Sequence, residues 1–79
     1  MLQPKVTEVS PLKDHKLILT FNNGETRIFD VMPYISGDWY GKLINEDYFN
    51  SVHIAKRTIE WAGGQDIAPH ELYELSELL

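Results

Sequence analysis

The fold is decided by residues 16–30, which read Lys16-Leu17-Ile18-Leu19-Thr20-Phe21-Asn22-Asn23-Gly24-Glu25-Thr26-Arg27-Ile28-Phe29-Asp30. Two runs rich in β-branched and aromatic residues flank the dipeptide Asn23-Gly24. Asn-Gly is the preferred centre of a two-residue hairpin turn, because both of its positions adopt positive φ. The sequence therefore predicts a β-hairpin in which Asn22 pairs with Glu25.

This pairing also predicts which side chains share a face of the hairpin. With antiparallel strands, it places Leu19 opposite Ile28 and Ile18 opposite Phe29. Because side chains alternate between faces, one face should carry Leu17, Leu19, Phe21, Thr26 and Ile28. The other face should carry Ile18, Thr20, Arg27 and Phe29. Since both faces hold apolar groups, we expect a helix or loop to cover part of the second face as well.

The segments next to the hairpin add a strand and an irregular connection. Residues 5–9 predict a short strand that ends at Ser10-Pro11, because proline lacks the amide hydrogen of a ladder donor. Residues 31–35 predict a helical turn. Gly37 and Gly41 bracket a segment that we expect to form a loop.

The middle of the chain predicts a short helix and a second hairpin. The side chain of Asn45 can accept hydrogen bonds from the first-turn amides of a helix over residues 46–50. The two carboxylates that begin this helix suit its positive end. Residues 52–56 and 58–61 alternate like strands around a tight turn near Arg57.

A C-terminal helix should begin at Pro69, since proline suits a first helical position that needs no amide hydrogen. Its apolar stripe is predicted to be Leu72, Leu75 and Leu79, flanked by Tyr73 and Leu78. The elements together define one α+β domain over residues 1–79. It should contain a mostly antiparallel sheet of four or five strands, a short middle helix and a C-terminal helix.

Composition narrows the classes of function. The chain has 79 residues, of which 7 are basic and 12 acidic, for a net charge of −5. Such an acidic balance argues against direct nucleic-acid binding. The absence of cysteine excludes disulfides, thiolate metal sites and a cysteine nucleophile. With no apolar run near the ~20 residues of a membrane helix and no signal-peptide pattern, we expect a cytoplasmic protein outside the membrane.

One set of residues carries a resemblance to a known family: Leu19-x-Phe21-x-x-Gly24, Asp30, Leu43, Phe49, Val52 and Ile59-x-Trp61-x-x-Gly64-x-Asp66-Ile67-x-Pro69-x-Glu71-x-Tyr73. Over nearly its whole length the chain resembles the bacterial "domain of unknown function 2442" family. The resemblance implies a small α+β domain without an established activity or accepted catalytic residues. Some relatives carry a helix-turn-helix domain, and relatives are often encoded beside another small uncharacterised domain, which implies an adaptor or regulatory setting.

Two positions compare directly with this family pattern. The family usually presents Leu-Tyr near the end of its motif, and Leu72-Tyr73 keeps it. It usually has asparagine or a similar residue before the glycine that follows the tryptophan, where this sequence has Gly63. We expect this departure to alter a turn.

Trp39 and Tyr40 are candidate partner contacts. Adjacent aromatic side chains between two flexible glycines cannot easily both point inward, so one could stay exposed as an anchor for a partner protein. In the alternative, one ring fills the core and the other lies at its edge. An open sheet edge offers a second route, including a homodimer formed by strand pairing.

Trp61 and Asp66 form a second candidate region. Asp66 lies between Gly63-Gly64 and the predicted helix, so its carboxylate is expected to accept hydrogen bonds from loop and helix amides. In the functional alternative, it is a ligand-facing acid beside Trp61. That arrangement would make the domain a small-ligand-binding module.

An enzyme is a further alternative. A small hydrolase or nuclease could use His15, His53 or His70 as an acid or base with Asp30 or Asp66. Asp30 is otherwise expected to cap the turn that follows it. Residues 70–74 begin like a zinc-protease helix but lack its second histidine. We predict no catalytic, cofactor-binding or metal-binding residue.

The sequence therefore favours a protein-interaction or regulatory module over an enzyme. It would act as an adaptor or as the neutralising half of a two-protein pair, with a protein partner of unknown identity and no cofactor. The candidate contact residues are Trp39, Tyr40, Trp61 and Asp66.

Overall fold

Residues 4–79, described by a computed structural model, form the α+β fold that the sequence predicts. The strands are β1 (Val6–Leu12), β2 (Lys16–Phe21), β3 (Thr26–Asp30), β4 (His53–Ala55), β5 (Thr58–Glu60) and β6 (Glu77–Leu78). The helices are α1 (Gly37–Tyr40), α2 (Glu46–Phe49) and α3 (Pro69–Glu74), with 3-10 turns at Lys13–His15, Met32–Tyr34 and Gly41–Ile44. A four-stranded antiparallel sheet has the order β1-β2-β3-β6, and β4 and β5 form a separate hairpin. Within residues 4–79, no helix is long and apolar enough to cross a membrane.

The central hairpin forms, but its predicted register is wrong by one residue. The amide of Phe21 donates to the carbonyl of Glu25 at 2.9 Å, and the amide of Gly24 donates to Phe21 at 3.0 Å. The loop therefore has three residues, with Gly24 at φ +89°. A type I turn followed by one left-handed residue needs positive φ only at the glycine, which satisfies the same Asn-Gly signal. Asn22 consequently does not pair with Glu25.

The corrected register reverses the faces of β3. Ile18 now lies opposite Ile28, and Leu17 lies opposite Phe29. Phe29 and Arg27 therefore share the core face with the odd-numbered residues of β2, while Thr26 and Ile28 lie on the outer face. A shift of one residue has this effect because side chains alternate strictly along a strand. The buried apolar core is Val6, Leu17, Leu19, Phe21, Phe29, Val31, Leu43, Phe49, Ile59, Trp61, Ile67 and Leu72.

Two connecting segments also differ from expectation. β1 continues through Pro11 to Leu12 instead of ending before the proline, and Pro11 lies opposite Leu17. Proline is tolerated there because β1 is an edge strand of the sheet. Between Gly37 and Gly41 the chain is helical rather than a loop, and Gly41 donates its amide to the carbonyl of Gly37. The 3-10 turn that follows buries Leu43 completely.

Three local predictions in these segments are confirmed. Residues Met32–Tyr34 form the expected helical turn. The side chain of Asn45 accepts a hydrogen bond from the amide of Tyr48 at 3.0 Å and caps α2. The second hairpin turns at Lys56 and Arg57, between β4 and β5.

The C-terminal helix is shorter than its apolar stripe predicts. Helix α3 ends at Glu74, and Leu72 is the only leucine of the predicted stripe that is buried. Leu75, Leu78 and Leu79 are 61–68% exposed. The chain leaves the helix because the guanidinium of Arg27 donates to the Ser76 hydroxyl at 2.8 Å and to the Ser76 carbonyl at 2.7 Å. Residues after Ser76 then pair with β3 as β6.

Tyr73 completes this attachment. Its hydroxyl donates to the carboxylate of Glu25 at 2.8 Å, and its ring packs edge-on against Phe21 at 5.1 Å. The Arg27 guanidinium lies over the same ring, 4.6 Å from its centre, and donates to Glu25 at 2.9 Å. The hydrogen bond from the Tyr73 hydroxyl lowers the pKa of Glu25, and the hydrogen bond and charge of Arg27 lower it further. The C-terminal segment is thereby fastened to the loop of the central hairpin.

Substitution of single leucines should distinguish the observed helix from the longer one. Leu72→Ala should lower the free energy of unfolding by about 2–5 kcal/mol, because it opens a cavity in the core. Leu75→Ala and Leu78→Ala should each change it by less than about 0.5 kcal/mol, because both side chains face solvent. Urea unfolding followed by circular dichroism measures all three. A loss for Leu75→Ala as large as that for Leu72→Ala would contradict the observed end of α3.

Candidate functional site

The loop over residues 61–65 repeats the geometry of the central hairpin loop. The amide of Trp61 donates to the carbonyl of Gln65 at 2.9 Å, and the amide of Gly64 donates to Trp61 at 2.8 Å. Gly64 has φ +91°, close to the value at Gly24 in the first loop. Since a left-handed residue after a type I turn favours glycine, the loop places Gln65 directly after a fixed bend.

The side chain of Gln65 joins this loop to two helices. It is fully buried, and its Nε2 donates to the backbone carbonyl of Trp39 at 2.8 Å. Its Oε1 accepts from the hydroxyl of Tyr48 at 2.9 Å. Both ends of the amide are thus hydrogen bonded, as a buried polar group requires. Sequence reasoning missed Gln65, because its partners lie 26 and 17 residues away along the chain.

Gly63 is required by the same contact. A Cβ atom at this position would overlap the hydroxyl of Tyr48 and press on the side chain of Gln65. Gly63 therefore lets α2 approach the loop closely enough for its tyrosine to reach the buried amide. In this chain the close approach therefore depends on glycine at the position where the family resemblance implies asparagine.

Trp61 belongs to the core. Its side chain has no exposed surface, and its indole nitrogen donates to the carbonyl of Phe49 at 2.9 Å. Its ring packs against that of Phe49 with the centres 5.8 Å apart. No ligand can stack on Trp61 in this arrangement, so its position favours the structural role over the ligand site.

Trp39 and Tyr40 have different environments. Trp39 is 48% exposed, whereas Tyr40 is half-buried against the core. The two rings meet edge to face with their centres 5.1 Å apart. The hydroxyl of Tyr40 donates to the backbone carbonyl of Asp66 at 2.9 Å, which fixes the end of α1 to the strand-like segment after the loop. Among the described residues, the indole N–H of Trp39 has no hydrogen-bond acceptor.

Asp66 makes its contacts through its backbone. It forms an antiparallel bridge with Glu60, and its carbonyl binds Tyr40. Within residues 4–79 its carboxylate accepts none of the expected hydrogen bonds from loop or helix amides, so that prediction is wrong. The residue is exposed. The pKa of Tyr40 is raised mainly because its own phenol is partly buried, and the negative charge of Asp66 raises it further.

The rings of His15 and His53 contact groups other than the two aspartates considered for an enzyme. His15 shares a hydrogen bond of 2.9 Å with the carbonyl of Ile44, and His53 lies 3.3 Å from Glu60. Asp30 accepts from the amide of Met32 at 3.0 Å, which confirms the predicted cap. In the described part of the chain no hydrogen bond joins a histidine to Asp30 or Asp66, and no cluster of three acidic or histidine side chains could hold a metal ion.

An apolar groove adjoins the loop on the side of Tyr48. It is shallow and open to solvent, and it is lined by Lys42, Ile44, Asn45, Asp47, Tyr48 and Ser51. Ile44 is 54% exposed. Gly63 meets the hydroxyl of Tyr48 and Gly64 faces the ring of Trp39, so the glycine pair lies between these two aromatic side chains. We call the area formed by Trp39, Ile44, Tyr48, Gly63 and Gly64 the Trp39 surface.

The architecture defines a small α+β domain in which glycine loops hold short helices against an antiparallel sheet. The chain belongs to the family described as "Protein of unknown function (DUF2442)", whose family model matches residues 6–77. The resemblance seen in the sequence is therefore confirmed. No curated protein and no solved structure matches the chain.

The Gly63 contact yields a prediction for a double-mutant cycle. Gly63→Ala should destabilise the domain by about 1–3 kcal/mol, because the new methyl group overlaps the Tyr48 hydroxyl. Tyr48→Phe should cost about 1–3 kcal/mol by leaving the buried oxygen of Gln65 unpaired. The double variant should lose at least about 0.5 kcal/mol less stability than the two single variants lose together, since removal of the hydroxyl makes room for the methyl group.

The matched control for this cycle is Gly41→Ala. Gly41 has helical backbone angles, and an added Cβ would make only an ordinary contact at 4.0 Å. This variant should be neutral or stabilising by up to about 1 kcal/mol. Thermal and urea unfolding measure the cycle, and strict additivity of Gly63→Ala and Tyr48→Phe would show that the two sites are not in contact.

Tyr34 links the segment before α1 to α3. Its hydroxyl donates to the carboxylate of Glu71 at 2.7 Å, and its ring packs on Phe29 at 5.7 Å. The pKa of Tyr34 is raised to about 12. Burial of the phenol is the largest cause, and the hydrogen bond to Glu71 and the negative charge of that carboxylate add to the shift. The protonated phenol is therefore the form that the fold requires.

This shift predicts a loss of stability at alkaline pH. An unfolded tyrosine ionises near pH 10, so the contribution of Tyr34 is fully present below that pH and is lost as the pH rises toward about 12. Tyr34→Phe removes the titrating group, and its free energy of unfolding should fall less steeply over this window. Urea unfolding at a series of alkaline pH values measures both slopes. Equal slopes would mean that Tyr34 ionises alike in the folded and unfolded chains.

Proposed function

We propose that the chain is a small bacterial cytoplasmic protein-interaction module that contacts its partner through the Trp39 surface. It acts as an adaptor or as the neutralising half of a two-protein pair. The observation that carries the proposal is the position of Trp39, which is 48% exposed although its backbone carbonyl is held by a buried amide. Tryptophan is enriched among the residues that dominate protein interfaces.

The immediate surroundings of Trp39 support this role. Gly64 beside it carries no side chain, so a partner can reach the backbone there and cover the indole ring at the same time. Ile44 and Tyr48 extend the apolar area along the adjoining groove. An indole N–H without an intramolecular acceptor can donate to a partner, which adds direction to an otherwise apolar contact.

A homodimer through a sheet edge has weaker support. The edge strands of the main sheet are β1 and β6. β6 contains only two residues, and β1 includes Pro11, which has no amide hydrogen to offer. Short edges and proline both discourage the addition of another strand. The aromatic surface is therefore the better candidate for the main contact.

Trp39→Ala should weaken the association with the partner without unfolding the domain. The tagged protein is purified at native expression level, and any protein that remains at equal stoichiometry after a salt wash is identified by mass spectrometry. That protein is then produced separately and titrated against the purified wild type and variants by calorimetry. We expect Trp39→Ala to weaken binding by at least about tenfold, as loss of an interface anchor does.

Ile54→Ala is the control for this experiment. Ile54 is also partly exposed, at 37%, but it lies in β4 rather than on the Trp39 surface. It should leave the affinity unchanged, and all the proteins should retain the same unfolding midpoint. Absence of any stoichiometric protein, or equal effects of the two substitutions, would contradict the proposed function.

A further inference from the structure

The carboxylates near the Trp39 surface have no cationic partner in the described residues. Asp38 directly precedes the exposed tryptophan, Asp47 lines the groove with Tyr48, and Asp66 accepts with its carbonyl from the hydroxyl of Tyr40, whose ring contacts Trp39. All three residues are exposed. The ion pairs within residues 4–79 are formed elsewhere, between Arg27 and Glu25 and between His53 and Glu60. These acids are thus available to charges outside the domain.

Among the described residues that line the groove, Lys42 carries the positive charge and is itself exposed. Three carboxylates against one ammonium leave the surroundings of the Trp39 surface negative, in a chain whose net charge is −5. An apolar contact area with an acidic border selects partners of opposite charge and accelerates their encounter. The border therefore specifies the partner more narrowly than the aromatic side chain alone.

We propose that the partner docks on the Trp39 surface with an extended segment that carries arginine next to a leucine-like side chain. This inference rests on the proposed function, since it names the chemistry of the partner at the same site. The planar guanidinium stacks on the exposed indole ring and donates to the bordering carboxylates. The apolar side chain enters the groove beside Ile44 and Tyr48, and the indole N–H donates to a carbonyl of the segment.

Arginine fits this surface better than lysine. Stacking on an aromatic ring and simultaneous hydrogen bonding to carboxylates need a planar group with several fixed donors, which the ammonium of lysine does not provide. An acidic segment would meet repulsion from Asp38 and Asp47. A purely apolar segment would leave those carboxylates without compensation.

The test uses the resonances of the two indole N–H groups in the ¹⁵N-labelled intact protein. Trp61 is buried and hydrogen bonded to Phe49, so its signal is an internal reference, whereas Trp39 reports on the surface. The probes are four blocked hexapeptides of sequence Gly-Leu-X-Leu-X-Gly, in which X is arginine, lysine, citrulline or glutamate. Citrulline keeps the shape of arginine but removes its charge.

We expect the arginine peptide to shift the Trp39 signal saturably and to bind at least about tenfold more tightly than the citrulline peptide at low salt. The lysine peptide should be intermediate, and the glutamate peptide should not bind. Raising the salt concentration should reduce the preference for arginine over citrulline, because the charges are exposed. The Trp61 signal should stay in place throughout.

Charge variants separate the acidic border from the net charge of the chain. Asp38→Asn with Asp47→Asn should weaken binding of the arginine peptide at least about threefold. Glu8→Gln with Glu77→Gln changes the net charge equally, but these residues lie on the outer face of the sheet, and this pair should have a much smaller effect. If both pairs weaken binding equally, the preference for arginine comes from long-range attraction by the net charge of the chain, and the proposal is overturned.

Other results overturn the inference without affecting the proposed function. The inference fails if the Trp39 signal ignores all four peptides, or if it responds equally to arginine and citrulline. In either case a stoichiometric partner that depends on Trp39, found in the preceding experiment, would still establish an interaction module. Loss of that dependence, in contrast, would remove the proposed function itself.

Discussion

The buried amide of Gln65 is the contact that holds the middle of the chain in place. Helices α1 and α2 contain four residues each, which is far too short for either to be stable in isolation. The Gln65 side chain binds the carbonyl of Trp39 in one and the hydroxyl of Tyr48 in the other. Loss of this amide would leave two partly buried polar groups without their partner, at a cost that is substantial for so small a domain.

The hydrogen bond from a helix tyrosine to a glycine loop occurs twice in the structure. In each glycine loop, the residue after the left-handed glycine offers a side-chain oxygen to the hydroxyl of a tyrosine on a helix. Glu25 accepts from Tyr73 of α3 at 2.8 Å, and Gln65 accepts from Tyr48 of α2 at 2.9 Å. The difference lies in the charge and burial of the acceptor. Glu25 is only half-buried and also binds a guanidinium, whereas Gln65 is fully buried and therefore has to be neutral.

Local sequence signals located most elements of this fold, but they missed α1 and β6 and gave the wrong register for the central hairpin. The Asn-Gly pair correctly predicted a hairpin, but this pair is compatible with loops of both two and three residues. The choice between them follows from the core, because only the three-residue loop turns Phe29 toward Leu17. Likewise, the spacing of Leu72 and Leu75 suits a longer helix, but the hydrogen bonds between Arg27 and Ser76 redirect the chain. The sequence indicated Trp39 and Tyr40 as candidate contacts, whereas Gln65 gave no signal because its partners are brought to it only by folding.

The way in which Trp39 is held bears directly on how well it can bind. Its carbonyl is fixed by Gln65, its neighbour Tyr40 is tied to Asp66, and its ring rests against Tyr40 and near Gly64. The backbone beneath the exposed indole is thus ordered before any partner arrives. A contact made by such a side chain loses little conformational entropy on association, so more of the gain from covering the ring appears as affinity. An exposed tryptophan on a mobile loop would lose that advantage, which is why the rigidity of this short helical segment matters as much as its exposure.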